Sequence, residues 1–191
     1  MDTNYSKQNT ALLVMDMQEP MVQMLKDKES FFKSINKAIN HARIINVPVI
    51  FVVIGFRKGY PEASQNHKVM FKANPQMSFD KEETVKVHTS VNKEQGDIII
   101  TKKRISAFTG SDLEVVLRSL EMKHLVLSGI ATSGVVLSTI REAADKDYTL
   151  TVLSDCCADR DEEVHRVLIT KVFARQANVI TADEWCDSKQ V

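Results

Sequence analysis

Six short apolar runs, separated by segments of helical periodicity, constrain this chain more than any other feature. They read ALLVM (11–15), VPVIFVVIGF (47–56), DIIIT (97–101), HLVLSGI (124–130), YTLTVLS (148–154) and NVIT (178–181). Most are apolar at successive positions rather than at alternate ones. A strand without a polar face has to be covered on both sides, which is the situation of a parallel sheet held between two helix layers.

The intervening segments supply those layers. Phe31, Ile35, Ala38, Ile39, Ala42 and Ile45 fall on one helical face. Leu113, Val116, Leu117 and Leu120 form a second stripe, and Ser111-Asp112-Leu113-Glu114 before it has the S-x-x-E form of a capping box. Val136, Thr139, Ile140, Ala143 and Ala144 form a third, and Val164, Val167, Leu168 and Val172 a fourth. All four are assigned to core packing, the usual role of such stripes. The order predicts one domain, residues 1–191 with a core over about 10–182. Its fold class is α/β, a doubly wound six-stranded parallel sheet with helices on both faces in a Rossmann-type three-layer arrangement.

Residues 57–96 break the pattern. This insert contains Pro61 and Pro75 and little apolar repetition, so it reads as a long loop with short helical excursions. Loops of this length in a compact domain commonly serve as lids or interfaces. Met70, Phe71, Met77 and Phe79 within it are candidates either for interface anchors or for packing beneath a lid.

Composition removes several function classes. With 25 basic and 25 acidic residues the formal charge is zero, and no basic stripe points to nucleic acid. No apolar run approaches the ~18 residues of a membrane span, and the opening MDTNYSKQNT lacks the build of a secretory signal. Cys156, Cys157 and Cys186 are odd in number, and two are adjacent, which disfavours a bridge between them. A reducing, cytoplasmic location is therefore expected. No CxxC or HxxxH spacing suggests structural zinc.

Ligands of open α/β sheets sit beyond the carboxyl ends of the strands. Asp16 follows the first run, Lys102-Lys103-Arg104 the third, and Asp155 the fifth. The fourth leads into GIATSGVV, Gly129 to Val136, a strand-to-helix turn of the sort on which many enzymes present a nucleophile. Two readings of Asp16 and Lys102 stand at this point. They could converge as a carboxylate–ammonium pair over the turn, or Asp16 could cap the next segment while Lys102 ends a strand in solvent.

ALLVMDMQ, DIIITKKRISAF, LVLSGIAT followed by VVLST, and AADKDYTLTVLSDCCAD together resemble the isochorismatase-like hydrolases, also called the cysteine hydrolase superfamily. The resemblance covers about residues 10–182, with the motifs in the family's order. It implies a six-stranded parallel sheet, a homodimer or homotetramer, a small-molecule substrate, and a triad of aspartate, lysine and cysteine. The aspartate matches Asp16. The lysine lies four residues before the serine of SAF and matches Lys102. The cysteine position, six residues after the glycine of GIAT, is occupied by Val135.

Valine can neither attack a carbonyl nor form a covalent intermediate, so the family's thiol route is closed here. Gly129, Ile130, Ala131, Thr132, Ser133 and Gly134 remain as a pocket floor and a possible oxyanion turn. Ser133 reads better as an N-cap than as a nucleophile, since no histidine accompanies it in the pattern. Cys156 or Cys157 could act only as a relocated nucleophile. Nicotinamidase-type members hold a metal with an aspartate and paired histidines, whereas the insert offers His67 alone, so neither metal nor cofactor is expected. One family reaction needs no thiol. Isochorismatase cleavage of a vinyl ether requires protonation of carbon, for which Asp16 is the candidate acid, with Lys102 binding a substrate carboxylate. The other expectation is a non-catalytic relative that keeps the pocket for binding or the fold as an oligomeric scaffold.

Overall fold

The computed structural model describes residues 7–64, 66 and 78–188. Six parallel strands form one sheet: β1 (Thr10–Met15), β2 (Val49–Ile54), β3 (Ile98–Lys102), β4 (His124–Ile130), β5 (Thr149–Ala158) and β6 (Asn178–Ile180). Their spatial order is β3-β2-β1-β4-β5-β6. The chain winds outward from β1 through β2 to β3, then returns beside β1 at β4 and winds the other way. The topological switch point therefore lies between β1 and β4, where ligands of such sheets bind. Every residue of β1, β2 and β4 is buried, as their two-sided apolar character requires.

The helices are α1 (Glu19–Val22), α2 (Lys28–Ile44), α3 (Glu82–Val85), α4 (Leu113–Ser119), α5 (Leu137–Asp145), α6 (Glu162–Val167) and α7 (Ala182–Asp187). Leu12, Val14, Phe51, Val126 and Leu153 face α2 and α7, where Phe31, Ile35, Ala38, Ile39 and Trp185 meet them. Leu13, Met15, Ile50, Val52 and Leu127 face the opposite layer, built from Leu113, Leu117, Val136, Ile140 and Phe173. Each large apolar side chain taken from water in this way contributes about 1.5–3 kcal/mol.

Four local expectations are corrected. The run 47–56 is a strand only over Val49–Ile54: Val47 N–H closes the end of α2 on Ala42, and Phe56 N–H leaves the sheet for Phe79. β5 continues past residue 154 to Ala158, with a bulge, since Leu127 pairs with Val152 but Gly129 with Cys157. The capping box at Ser111 does not form. Ser111 donates to the Ala107 and Phe108 carbonyls, while Glu114 is held by Arg118 and Lys146. Finally, the fourth stripe is broken. α6 opens into a wider turn at Leu168–Val172 and a tighter one at Phe173–Arg175, so Leu168 and Phe173 are buried but Val164 is exposed.

Within the insert, Phe79 packs with Ile54, Phe56 and Tyr60 in a small separate cluster and has no exposure, so it is a packing residue rather than an interface anchor. Met70, Phe71, Met77 and His67 lie outside the described residues. Gln18 stitches the insert to the sheet. Its side chain donates to the Ile54 and Thr84 carbonyls and accepts from Ile54 N–H.

Candidate active site

Asp16 is the first residue beyond β1, and its backbone turns out of the strand with a φ of 55°. Aspartate tolerates this left-handed conformation better than most residues. Two backbone bonds fix the turn, from Asp16 N–H to the Val52 carbonyl and from Gln18 N–H to the Asp16 carbonyl. The side chain is thereby held at the carboxyl end of the sheet.

Lys102, the last residue of β3, meets it there. Its Nζ lies 2.9 Å from Asp16 Oδ2, and the two side chains are 1% and 5% exposed. Of the two readings of this pair, convergence is the one the geometry bears out. The ammonium also donates to the Arg104 carbonyl at 3.0 Å and the Ile105 carbonyl at 2.9 Å. Three donors thus have three acceptors, and the lysine is saturated within the protein. Asp16 is not: its Oδ1 is buried without a hydrogen-bond partner among the described residues. Burial drives the Asp16 carboxyl above its ordinary range, and the charge and hydrogen bond of Lys102 only partly oppose this.

The turn after β4 lies alongside. Gly129 is paired with Met15, the residue before Asp16. A Cβ at Gly129 would sit 3.0 Å from the Met15 carbonyl oxygen and 3.2 Å from Val135 Cγ1, so only glycine lets the two strands and the turn approach this closely. The Ile130–Ala131 peptide is cis, and Thr132–Val136 form one wide helical turn that carries Val135 back over Gly129. Val135, the position where the resemblance leads one to expect a thiol, is 2% exposed and presents only methyl groups.

Ser133 does not cap the turn. Its N–H donates to Asp159 Oδ2 at 2.7 Å, and Ala131, which precedes the turn, makes no side-chain cap. Gly134 N–H is likewise taken, by the Ala131 carbonyl at 3.1 Å. Thr132 is fully buried, and its Oγ1 lies 2.8 Å from His165 Nδ1 on α6. Burial lowers the pKa of His165, with Asp159 opposing the shift. Hydroxyl and imidazole stand at nucleophile–base distance, yet the hydroxyl has no surface through which to reach a substrate.

The remaining candidates lie on β5, where Cys157 pairs with Gly129. Asp155 accepts from Ala182 N–H at 2.7 Å and so caps the start of α7. Cys156 and Cys157 are buried thiols; burial pushes the first well above its ordinary value and the second up to about 12. Neither is thiolate-forming, which removes them as relocated nucleophiles. No group of three or more His, Cys, Asp or Glu is placed to hold a metal among the described residues. Gln18, Asp159 and His165 were not legible as site residues from the sequence, because each acts through a contact between distant segments.

A parallel doubly wound sheet with a carboxylate–lysine pair joining the ends of β1 and β3, and a strand-to-helix turn after β4, defines a class of α/β domains. This chain belongs to the isochorismatase family: the isochorismatase domain matches residues 10–184. It is 30% identical over 178 residues to the isochorismatase family protein YecD of Escherichia coli O157:H7, covering 92% of this chain and 93% of that one. It is 29% identical to the ureidoacrylate amidohydrolase RutB of Pseudomonas syringae pv. syringae, over 94% of this chain and 80% of the relative. An isochorismatase family protein structure from Burkholderia thailandensis superposes with a TM-score of 0.83 at 27% identity, covering 95% of each chain. Among the described residues no helix is long and apolar enough to cross a membrane.

Proposed function

We propose that this protein is a small-molecule hydrolase that works by acid catalysis at Asp16, without a covalent enzyme intermediate, and that its reaction is cleavage of a vinyl ether. The observation that carries this reading is the state of Asp16. Its carboxyl is buried, driven toward the protonated form despite Lys102, and has one oxygen without a partner among the described residues. A protonated buried carboxyl is suited to delivering a proton. Protonating the terminal vinyl carbon yields an oxocarbenium ion. Water adds to it, and the hemiketal collapses to a ketone and an alcohol, so a thiol has no part in the balance. Lys102 acts as a positioning residue that engages Oδ2 and leaves Oδ1 without a partner among the described residues.

The relatives named as ureidoacrylate amidohydrolases support C–N cleavage as a second reading. In it Asp16 would have to be ionised to activate water, the state that burial disfavours. The same pocket without turnover, a binding or scaffold role, is the third. We also propose a homodimer or homotetramer in a reducing, cytoplasmic setting, a reading supported by the three free thiols as far as the compartment goes.

The test is a turnover screen of the purified protein with isochorismate and a panel of small amides, with Asp16→Asn as control. Vinyl-ether cleavage lost in the control supports the proposal. Full turnover by Asp16→Asn, or cleavage of amides alone, overturns it. Binding without turnover of any substrate favours the third reading.

A further inference from the structure

The sheet is covered unevenly. A crossover between parallel strands normally carries a helix that packs on one face of the sheet. Between β2 and β3 the described residues supply only the four-residue α3. Phe51 pairs with Ile99 and Val53 with Thr101, so these side chains share the sheet face on which α2 lies. Phe51 is buried in the cluster that α2 completes, whereas Ile99 on the outer strand is 48% exposed.

The uncovered strip is a groove rather than a flat patch. It encloses about 560 Å³ and is lined by Val53, Phe56, Val85, Ile99 and Thr101. Val53 and Phe56 are recessed, at 1% and 8% exposure. Val85 of α3 closes one side: a Cβ on Gly55 would lie 3.0 Å from it and 3.1 Å from Thr101. This volume and apolar lining are those of a small-molecule site. The groove lies on the opposite face of β3 from Lys102, so it is separate from the Asp16–Lys102 pair and independent of the hydrolytic reading.

The rim is charged. Lys81, Lys86 and Lys93 border the groove together with Asp80 and Glu82. Both carboxylates are occupied: Asp80 accepts from Ser78 Oγ at 2.5 Å, and Glu82 pairs with Lys86 at 2.7 Å. Lys81 and Lys93 have no carboxylate partner among the described residues; the Lys93 ammonium donates to the Glu94 carbonyl. Residues 65–77 contain no Asp or Glu, so that stretch supplies no acid either. Lysine stems can lie along apolar walls while their ammonium groups stay in water. Apolar walls below two uncompensated cations complement a ligand with an apolar body and one anionic end.

A second copy of the chain fits this groove less well. A two-fold pairing would set the rim lysines against one another and leave the recessed Val53 and Phe56 unfilled. The most exposed apolar side chains, Ile44 and Val115, lie on other elements. Inserting either would make a heterologous contact, which propagates rather than closes as a pair.

We propose that the groove binds a medium-chain aliphatic carboxylate. Its chain lies over Val53, Val85 and Ile99, and its carboxylate is held by Lys81 and Lys93.

The experiment is a methyl NMR titration of the whole protein with octanoate, octanol, octyltrimethylammonium and acetate at low ionic strength. Octanoate is expected to shift the methyl signals of Val53, Val85 and Ile99 and to bind more tightly than octanol. The cationic probe should bind most weakly, and acetate, which lacks the chain, should shift none of them. The double variant Lys81→Glu/Lys93→Glu should weaken octanoate about fivefold or more and strengthen octyltrimethylammonium. Ile99→Glu, which sets a carboxylate in the groove, should abolish octanoate binding. If Ile99→Glu fails to fold, the lysine variant, altered only at exposed positions, decides alone. Unshifted groove methyls, equal affinity for the three octyl probes, or unchanged octanoate affinity in the lysine variant overturns the proposal. Self-association abolished by Ile99→Glu, in place of octanoate binding, assigns the groove to a second copy and overturns it too.

Discussion

Thr132 and His165 are joined by a hydrogen bond of 2.8 Å that ties the turn after β4 to α6, across 33 residues of sequence. Beside it, Asp159 holds Ser133 N–H, so one bond from α6 and one from the segment leading into it fix the turn that carries Val135. Thr132→Val removes the hydroxyl without changing shape and leaves His165 Nδ1 half-buried without that partner. A loss of about 1–3 kcal/mol is expected, measured by urea unfolding at pH 7.5. His165→Phe in the Thr132→Val background should cost less than the sum of the single changes, because the bond is lost only once. Additive losses would show that the pair is not coupled.

The Asp16–Lys102 pair gives a second prediction. Lys102→Met leaves Asp16 Oδ2 and the Arg104 and Ile105 carbonyls without their donor and should destabilise the fold by about 1–3 kcal/mol. With Asp16 driven toward the protonated form no charge is stranded, so the double variant Asp16→Asn/Lys102→Met should recover little of that loss. Urea unfolding of the four proteins in the cycle checks it. A double variant that recovers most of the loss would mean that Asp16 is ionised in the fold, against its role as an acid.

These two pairs also mark what the sequence can disclose. Asp16 and Lys102 were legible because a parallel strand delivers its last residue to a known place, and the ends of β1 and β3 converge there. β4 was legible to the residue, bounded as it is by polar neighbours at its start and the glycine-containing turn at its end. Ser111 and Ser133 carried valid capping signals that did not form: Lys146 donates to the Glu114 carboxylate, and Asp159 accepts from Ser133 N–H. The bulge in β5 and the partnership of His165 depend on how distant segments pack, and no local spacing encodes them. Saturation of Lys102 was hidden for the same reason: its two extra acceptors are backbone carbonyls of the loop after β3.

Val135→Cys places a thiol over Gly129, which pairs with the residue that precedes Asp16. Valine and cysteine are close in volume, so the cost should stay below about 1.5 kcal/mol. Position 135 is as buried as Cys156 and Cys157, so the new thiol is expected to react with iodoacetamide no faster than they do unless the Asp16–Lys102 pair activates it. Peptide mass spectrometry after timed labelling reads all of them in one sample. If hydrolysis of small amides appears together with the labelling, the oxyanion-stabilising part of the turn is intact. Labelling without any new hydrolysis would show that the turn's remaining donors, after Asp159 has taken one and Ala131 two, are too few for acyl transfer.

His124 sets the acid side of the stability profile. Its ring lies between β1 and β5, with Nδ1 3.1 Å from Thr10 Oγ1 and Nε2 2.9 Å from Thr151 Oγ1. Burial lowers its pKa from 6.5 to about 4. The unfolded chain therefore binds a proton on this histidine between those values while the folded protein does not. The contribution of His124 is complete above pH 6.5 and is lost as the pH falls toward 4. It amounts to about 3 kcal/mol across that window. Burial of His165 has the same sign, whereas Asp16, raised in the fold, favours the folded state as the pH falls toward the ordinary aspartate value. His124→Asn, which removes the titrating ring, isolates the first contribution. Urea unfolding from pH 7 to 4 should show a shallower decline for this variant than for the unaltered protein, and parallel curves would place the titration elsewhere.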